Sequence, residues 1–186
     1  MSPRLNALLL AAAALSACQT RPFESARALE SAGKLSEAAI AYRDLAKTDP
    51  SNLPAWDKAI ELFCRKIGDV GECLGVLDLE LDRLGKIDRH SDALAEVLET
   101  RARARLEQGL VDAALDDLGR GERVSPGRAS LFVVEARALL MKGQQAQATR
   151  AIDRARTLDP NNREADALVA SLGSAGRADD APFGGP

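Results

Sequence analysis

The chain has 186 residues, with 25 basic and 28 acidic side chains, one histidine and a formal charge of −3. That mild acidity argues against a nucleic-acid binder, which carries a basic patch, and a lone histidine has no second one to share a metal with. Aromatic residues make up 3% of the chain, Ala, Leu, Arg and Glu are abundant, and no stretch alternates with period two, so the class is all-α.

The N-terminus reads Met1-Ser-Pro-Arg4, then an apolar run from Leu5 to Ala17 broken only by Asn6 and Ser16. A membrane-spanning helix needs about 20 apolar residues, so this run is too short to span. A basic head, an apolar middle and small residues before a processing point form the secretory signal pattern. The last four residues, Leu15-Ser16-Ala17-Cys18, resemble the lipobox of bacterial lipoproteins. An ordinary signal peptide and a buried first helix remain the alternatives. The lipoprotein resemblance implies a signal peptide at residues 1–17, cleavage before Cys18 and lipid on its thiol. Gln19 in place of aspartate implies the outer membrane, with the protein facing the periplasm. The remaining residues suffice for one domain.

Three later segments align: KLSEAAIAYRDLAKTDPSN (34–52), LVDAALDDLGRGERVSPGR (110–128) and QQAQATRAIDRARTLDPNN (144–162). Each follows a glycine (Gly33, Gly109, Gly143) and carries a proline near its end. Gly109 to Gly143 and Pro126 to Pro160 are both steps of 34 residues. The period and pattern resemble the tetratricopeptide repeat. Small residues are expected where two helices cross, Ala26 with Ala38, Ala102 with Ala114 and Ala136 with Ala148. Larger ones (Tyr42, Leu118, Ile152) fill the apolar stripe, and the proline ends the second helix. The resemblance implies a right-handed superhelical array of antiparallel helix pairs. The repeats fall near 19–52, 53–94, 95–128 and 129–162, with a cap helix at 163–173. Residues 174–186, rich in Gly, Pro, Ala and Asp, are expected to be disordered.

The second repeat is irregular. Its first helix carries Trp56, Ile60 and Phe63, but the place of the small crossing residue falls on Glu72, with Cys73 one residue on; a one-residue slip would put Cys73 at the crossing instead, and the sequence leaves the register open. The second helix is expected over 76–84 and a connection over 84–92. Cys64 and Cys73 remain after Cys18 is taken by lipid. In an oxidising compartment such a pair tends to bridge, and closing a loop of about ten residues stabilises by roughly 2.5–3 kcal/mol. The other reading is two small buried hydrophobes.

No catalytic, cofactor or metal site is expected. His90 reads as a solvated loop residue, and Gly119-Arg-Gly121 falls inside a helix rather than after a strand. Projecting the repeat resemblance places Phe23, Arg27, Glu61, Arg65, Glu99, Arg103, Val133, Arg137 and Met141 along a groove lined by first helices. Arg27, Arg103 and Arg137 occupy equivalent places, and such a row suits an acidic segment or a C-terminal carboxylate; the bland alternative is ordinary solvated arginine. The function expected is a non-catalytic, membrane-anchored scaffold that binds a protein or peptide partner, with neither nucleic acid nor a small-molecule substrate involved. By fold analogy alone, pilotins of secretin assembly are lipoproteins of this architecture. An accessory subunit of an envelope enzyme or assembly machine is the alternative.

Overall fold

A computed structural model describes residues 22–87 and 92–179. Residues 1–21, Cys18 among them, His90 and residues 180–186 lie outside that range. Among the described residues every regular element is helical and no strand occurs. In chain order these are α1 (22–31), α2 (Leu35–Thr48), α3 (Leu53–Ile60) continued by a π-helical segment (Glu61–Ile67), α4 (Val70–Ile87), α5 (Asp92–Glu107), α6 (Val111–Val124), α7 (Ala129–Met141), α8 (Gln145–Leu158) and α9 (Arg163–Asp179). Contacts divide the chain into a first unit ending at Arg83 and a second beginning at Leu84. None of the described helices is long and apolar enough to cross a membrane.

Three hairpins turn in one way. Gly33, Gly109 and Gly143 have φ of 74°, 73° and 71°, a region where a Cβ is strained. Around each, two backbone bonds close the end of the helix. At the first, the Gly33 N–H donates to Glu30 O and the Lys34 N–H to Leu29 O, both at 3.0 Å, and the Gly109 and Gly143 turns repeat the pair. This double closure satisfies carbonyls that the helix end leaves open. The Asp-Pro-x-Asn sequence then starts the next helix. The Asp49 carboxylate accepts from the Ser51 N–H at 3.2 Å, and Asn52 Oδ1 accepts from the Ala55 N–H at 3.2 Å. Asp159 and Asn162 repeat this with Asn161 and Ala165, a side-chain N-cap in both cases.

The expected crossing residues Ala26, Ala38, Ala102, Ala114, Ala136 and Ala148 all have 0% exposure. In the first unit Tyr42, Leu62, Val76 and Leu77 are likewise fully buried. In the second, Leu118, Leu131 and Val134 pack with Ala102 and Ala114, and Phe132, Val133 and Ile152 with Ala136 and Ala148. Full burial of each large aliphatic side chain contributes roughly 1.5–3 kcal/mol.

The open register of the second repeat is set, and two expectations give way. The first helix of the second repeat does not stay α-helical: it widens at Glu61 into the π segment, which ends at Gly68 with φ of 72°. The wider turn absorbs an additional residue, and it is Cys73, 3% exposed, that enters the core, while the Glu72 carboxylate reaches out to Arg43. Of the two expectations, first, α4 runs on to Ile87, so residues 84–87 are helix rather than connection. Leu77, Leu81 and Leu84 continue one buried stripe, and no proline interrupts it. Second, α9 passes Gly173 and reaches Asp179, so the first part of the expected disordered tail is helical.

Candidate interaction face

In the second unit the first helices α5 and α7 pack side by side, and α9 lies against α7. Arg103 on α5 and Arg137 on α7 converge on Glu164 in the first turn of α9. Glu164 Oε2 accepts from Arg103 Nη1 at 3.3 Å and lies 3.2 Å from Arg137 Nη2. Arg103 turns its other edge to Glu99, with Nη2 at 3.1 Å and Nε at 3.3 Å from Oε1. The second oxygen of Glu99 accepts from Arg128 Nε at 2.9 Å and the Ser130 hydroxyl at 2.6 Å. The groups thus alternate in sign along the face: Arg128, Glu99, Arg103, Glu164, Arg137.

Glu99 is the buried link, 8% exposed. Burial by itself raises its carboxyl pKa, but the donors Ser130, Arg128 and Arg103 outweigh it and hold the group below the usual range. The Val133 side chain, expected in the groove, is 1% exposed and sits in the core instead. Helix α7 is enclosed on most sides, with Leu131, Phe132, Val133 and Val134 all buried in succession, so no open face passes through Val133. Met141, at the end of α7, is 55% exposed.

In the first unit Glu30 on α1 accepts from Tyr42 Oη at 3.2 Å, Lys58 Nζ at 3.1 Å and Lys66 Nζ at 3.3 Å. Glu61 shares both lysines, at 3.1 Å and 2.9 Å. Burial pushes the Glu30 carboxyl up, but the Lys58 and Lys66 donors bring it below its ordinary value; the same two lysines lower Glu61. Phe23 packs on the Tyr42 ring with centroids 5.1 Å apart. Arg27 is exposed and lies 3.9 Å from Glu24, and Arg65 is exposed. The structure joins Cys64 to Cys73 by a disulfide, tying the π segment to α4 across the Gly68 turn.

Sequence reasoning missed Glu164, Arg128 and Ser130 on this face, and the group that Arg101 and Arg105 of α5 form with Asp117 of α6. No residue pattern announces a partner 61 positions away, as Glu164 is from Arg103. Among the described residues no cluster of three or more His, Cys, Asp or Glu side chains is placed to hold a metal ion.

No protein-family model and no curated protein matches the chain. Solved structures do match it in fold. A MamA protein structure superposes with a TM-score of 0.62 at 20% identity, covering 79% of this chain and 76% of that one. The pilF protein of Pseudomonas aeruginosa gives 0.59 at 18%, covering 88% and 71%. A tetratricopeptide repeat protein from Parabacteroides merdae gives 0.61 at 17%, covering 79% and 56%. With the hairpins described above, these likenesses define the class: an all-α helical repeat array with a tetratricopeptide-like fold.

Proposed function

We propose that the chain is a non-catalytic protein–protein interaction scaffold, anchored by lipid on Cys18 in the outer membrane and facing the periplasm. The observation that carries the scaffold reading is the convergence of Arg103 and Arg137. Two guanidiniums at one repeat position, on neighbouring first helices, are partly exposed and aimed at a common carboxylate. Arginine is always charged and its planar fork matches carboxylates, so the face suits a protein or peptide segment with acidic side chains. The lipid anchor is supported by the lipobox-like Leu15-Ser16-Ala17-Cys18, and export by the Cys64–Cys73 disulfide, a bond that persists in oxidising compartments.

Two measurements test these parts separately. Cells labelled with radioactive palmitate should incorporate it into the parent protein and not into Cys18→Ser, and the label should travel with the outer membrane on fractionation. Absence of label defeats the anchor. For the scaffold, a photo-crosslinking residue at exposed Met141 should capture a defined partner, and the capture should fall when Arg103 and Arg137 are both changed to Glu. Capture indifferent to that charge reversal returns the arginines to ordinary surface.

A further inference from the structure

We propose that Arg103 and Arg137 form a carboxylate-binding subsite for an acidic partner segment, and that Glu164 of α9 is its resident internal ligand, displaced when the partner's carboxylate enters. The inference rests on the scaffold reading and names both the chemistry of the partner and a built-in competitor.

The geometry separates a fixed part from an exchangeable one. Glu99 is fixed: its side chain is 10% exposed and takes hydrogen bonds from Ser130, Arg128 and Arg103. It holds the Nε/Nη2 edge of Arg103 and leaves Nη1 turned toward α9. Glu164 is exchangeable. Its side chain is 50% exposed, and it meets both arginines through a single oxygen at 3.3 Å and 3.2 Å, with no two-pronged contact to either. Exposed ion pairs of this sort are weak, whereas a carboxylate placed squarely on a guanidinium edge gains two parallel bonds. An incoming acidic group therefore has more to offer these arginines than Glu164 does.

Displacement needs only a side-chain rotation. Helix α9 stays anchored without Glu164, because Asn162 Oδ1 caps it through the Ala165 N–H at 3.0 Å and Ala165 is 0% exposed in the core. Charge sets the selectivity. With Glu164 turned to solvent, Arg103, Arg128 and Arg137 face the buried carboxylate of Glu99 and the exposed one of Glu96, which lies 3.7 Å from Arg128, so the row keeps one positive charge in excess. Acidic segments are drawn to it and basic ones repelled.

The test uses the full chain in detergent and a short fluorescein-labelled peptide of alternating Glu and Ala with a free C-terminal carboxylate, read by fluorescence anisotropy at low salt. Glu164→Gln should tighten binding about three- to tenfold, and adding Arg137→Gln should abolish that gain. A Lys–Ala peptide should bind none of these forms. Equal affinity for the parent and Glu164→Gln overturns the internal-ligand inference. If the arginine substitutions alone weaken binding while Glu164→Gln changes nothing, the scaffold reading stands and only the competitor falls. If no form binds the acidic peptide, the carboxylate subsite itself is wrong. Should Glu164→Gln fail to fold, Glu164→Asp keeps the charge on a shorter stem and should give a smaller gain of the same sign.

Discussion

Asp117, 1% exposed on α6, accepts two parallel bonds from the Nε/Nη2 edge of the Arg101 guanidinium of α5, one being Nε to Oδ2 at 2.8 Å. Arg105, one turn further along α5, adds Nη1 to the same oxygen at 2.7 Å. A carboxylate this deep is tolerable because it is paired and hydrogen-bonded on both oxygens. Removing one member of a buried pair leaves the other charge uncompensated, so Asp117→Ala should cost about 3–5 kcal/mol. Urea unfolding of parent and variant checks this. A loss under about 1 kcal/mol, the scale of an exposed pair, would mean that Arg101 and Arg105 find water or other acceptors easily.

The two glycines of α6 offer an internal comparison. A Cβ on Gly119 meets only the flexible Arg123 tip at 3.8 Å, whereas on Gly121 it comes within 2.8 Å of Leu131 Cδ2. Leu131 is itself fully buried. Gly119→Ala should therefore stabilise by close to the full helix-propensity difference, about 0.8–1 kcal/mol. In Gly121→Ala the same gain is opposed by an overpacking cost of about 1–3 kcal/mol, so it should be neutral or destabilising. Equal melting temperatures for the two variants would show that Leu131 finds another rotamer without loss.

The Cys64–Cys73 disulfide closes a loop with a sequence separation of 9, spanning the turn at Gly68 that ends the π segment. In the chain-entropy account a loop of about ten residues contributes roughly 2.5–3 kcal/mol. Thermal unfolding with reductant, or of Cys64→Ser, should be shifted down accordingly. Identical melting of the parent with and without reductant would remove the bridge from the stability of the first unit.

The hairpins were legible in the sequence because each of their devices leaves a local mark. Positive φ asks for Gly at 33, 109 and 143, close crossing asks for Ala, and the cap asks for Asn after Asp-Pro. The π segment at Glu61–Ile67 leaves no such mark, since its residues are those of any amphipathic helix. The register of Cys73 is therefore open in the sequence and is set by the wider turn. Val133 was misplaced for a related reason: four consecutive buried apolar residues, Leu131 to Val134, carry no periodicity from which to read a face. The ion row was only half visible. The step of 34 residues marks Arg103 and Arg137 as equivalent, but Glu164 reaches them by virtue of helix packing alone.

Two glutamates of the second unit should respond to pH with opposite signs. Glu99 is held below its ordinary pKa by its three donors despite burial. Its contribution to stability is thus present above the unfolded-state value, about 4.3, and lost as pH falls through the lower folded value. Glu135 on α7 is the reverse case. Burial, and then the neighbouring carboxylate of Glu122, push its carboxyl up, with Arg154 opposing only in part. Its favourable contribution is complete below the unfolded-state value and is lost as pH rises through the folded one. Above the unfolded-state value the raised pKa of Glu135 therefore opposes folding. Glu135→Gln should raise the urea midpoint at pH 7 and lose that advantage toward pH 4, where the parent's own carboxyl is protonated. Glu99→Gln should lower the midpoint at pH 7, by about 1–3 kcal/mol for the buried donors left without a charged partner, and the deficit should shrink on acidification. Parallel pH profiles for the two variants would mean that neither side chain titrates differently in the folded and unfolded states.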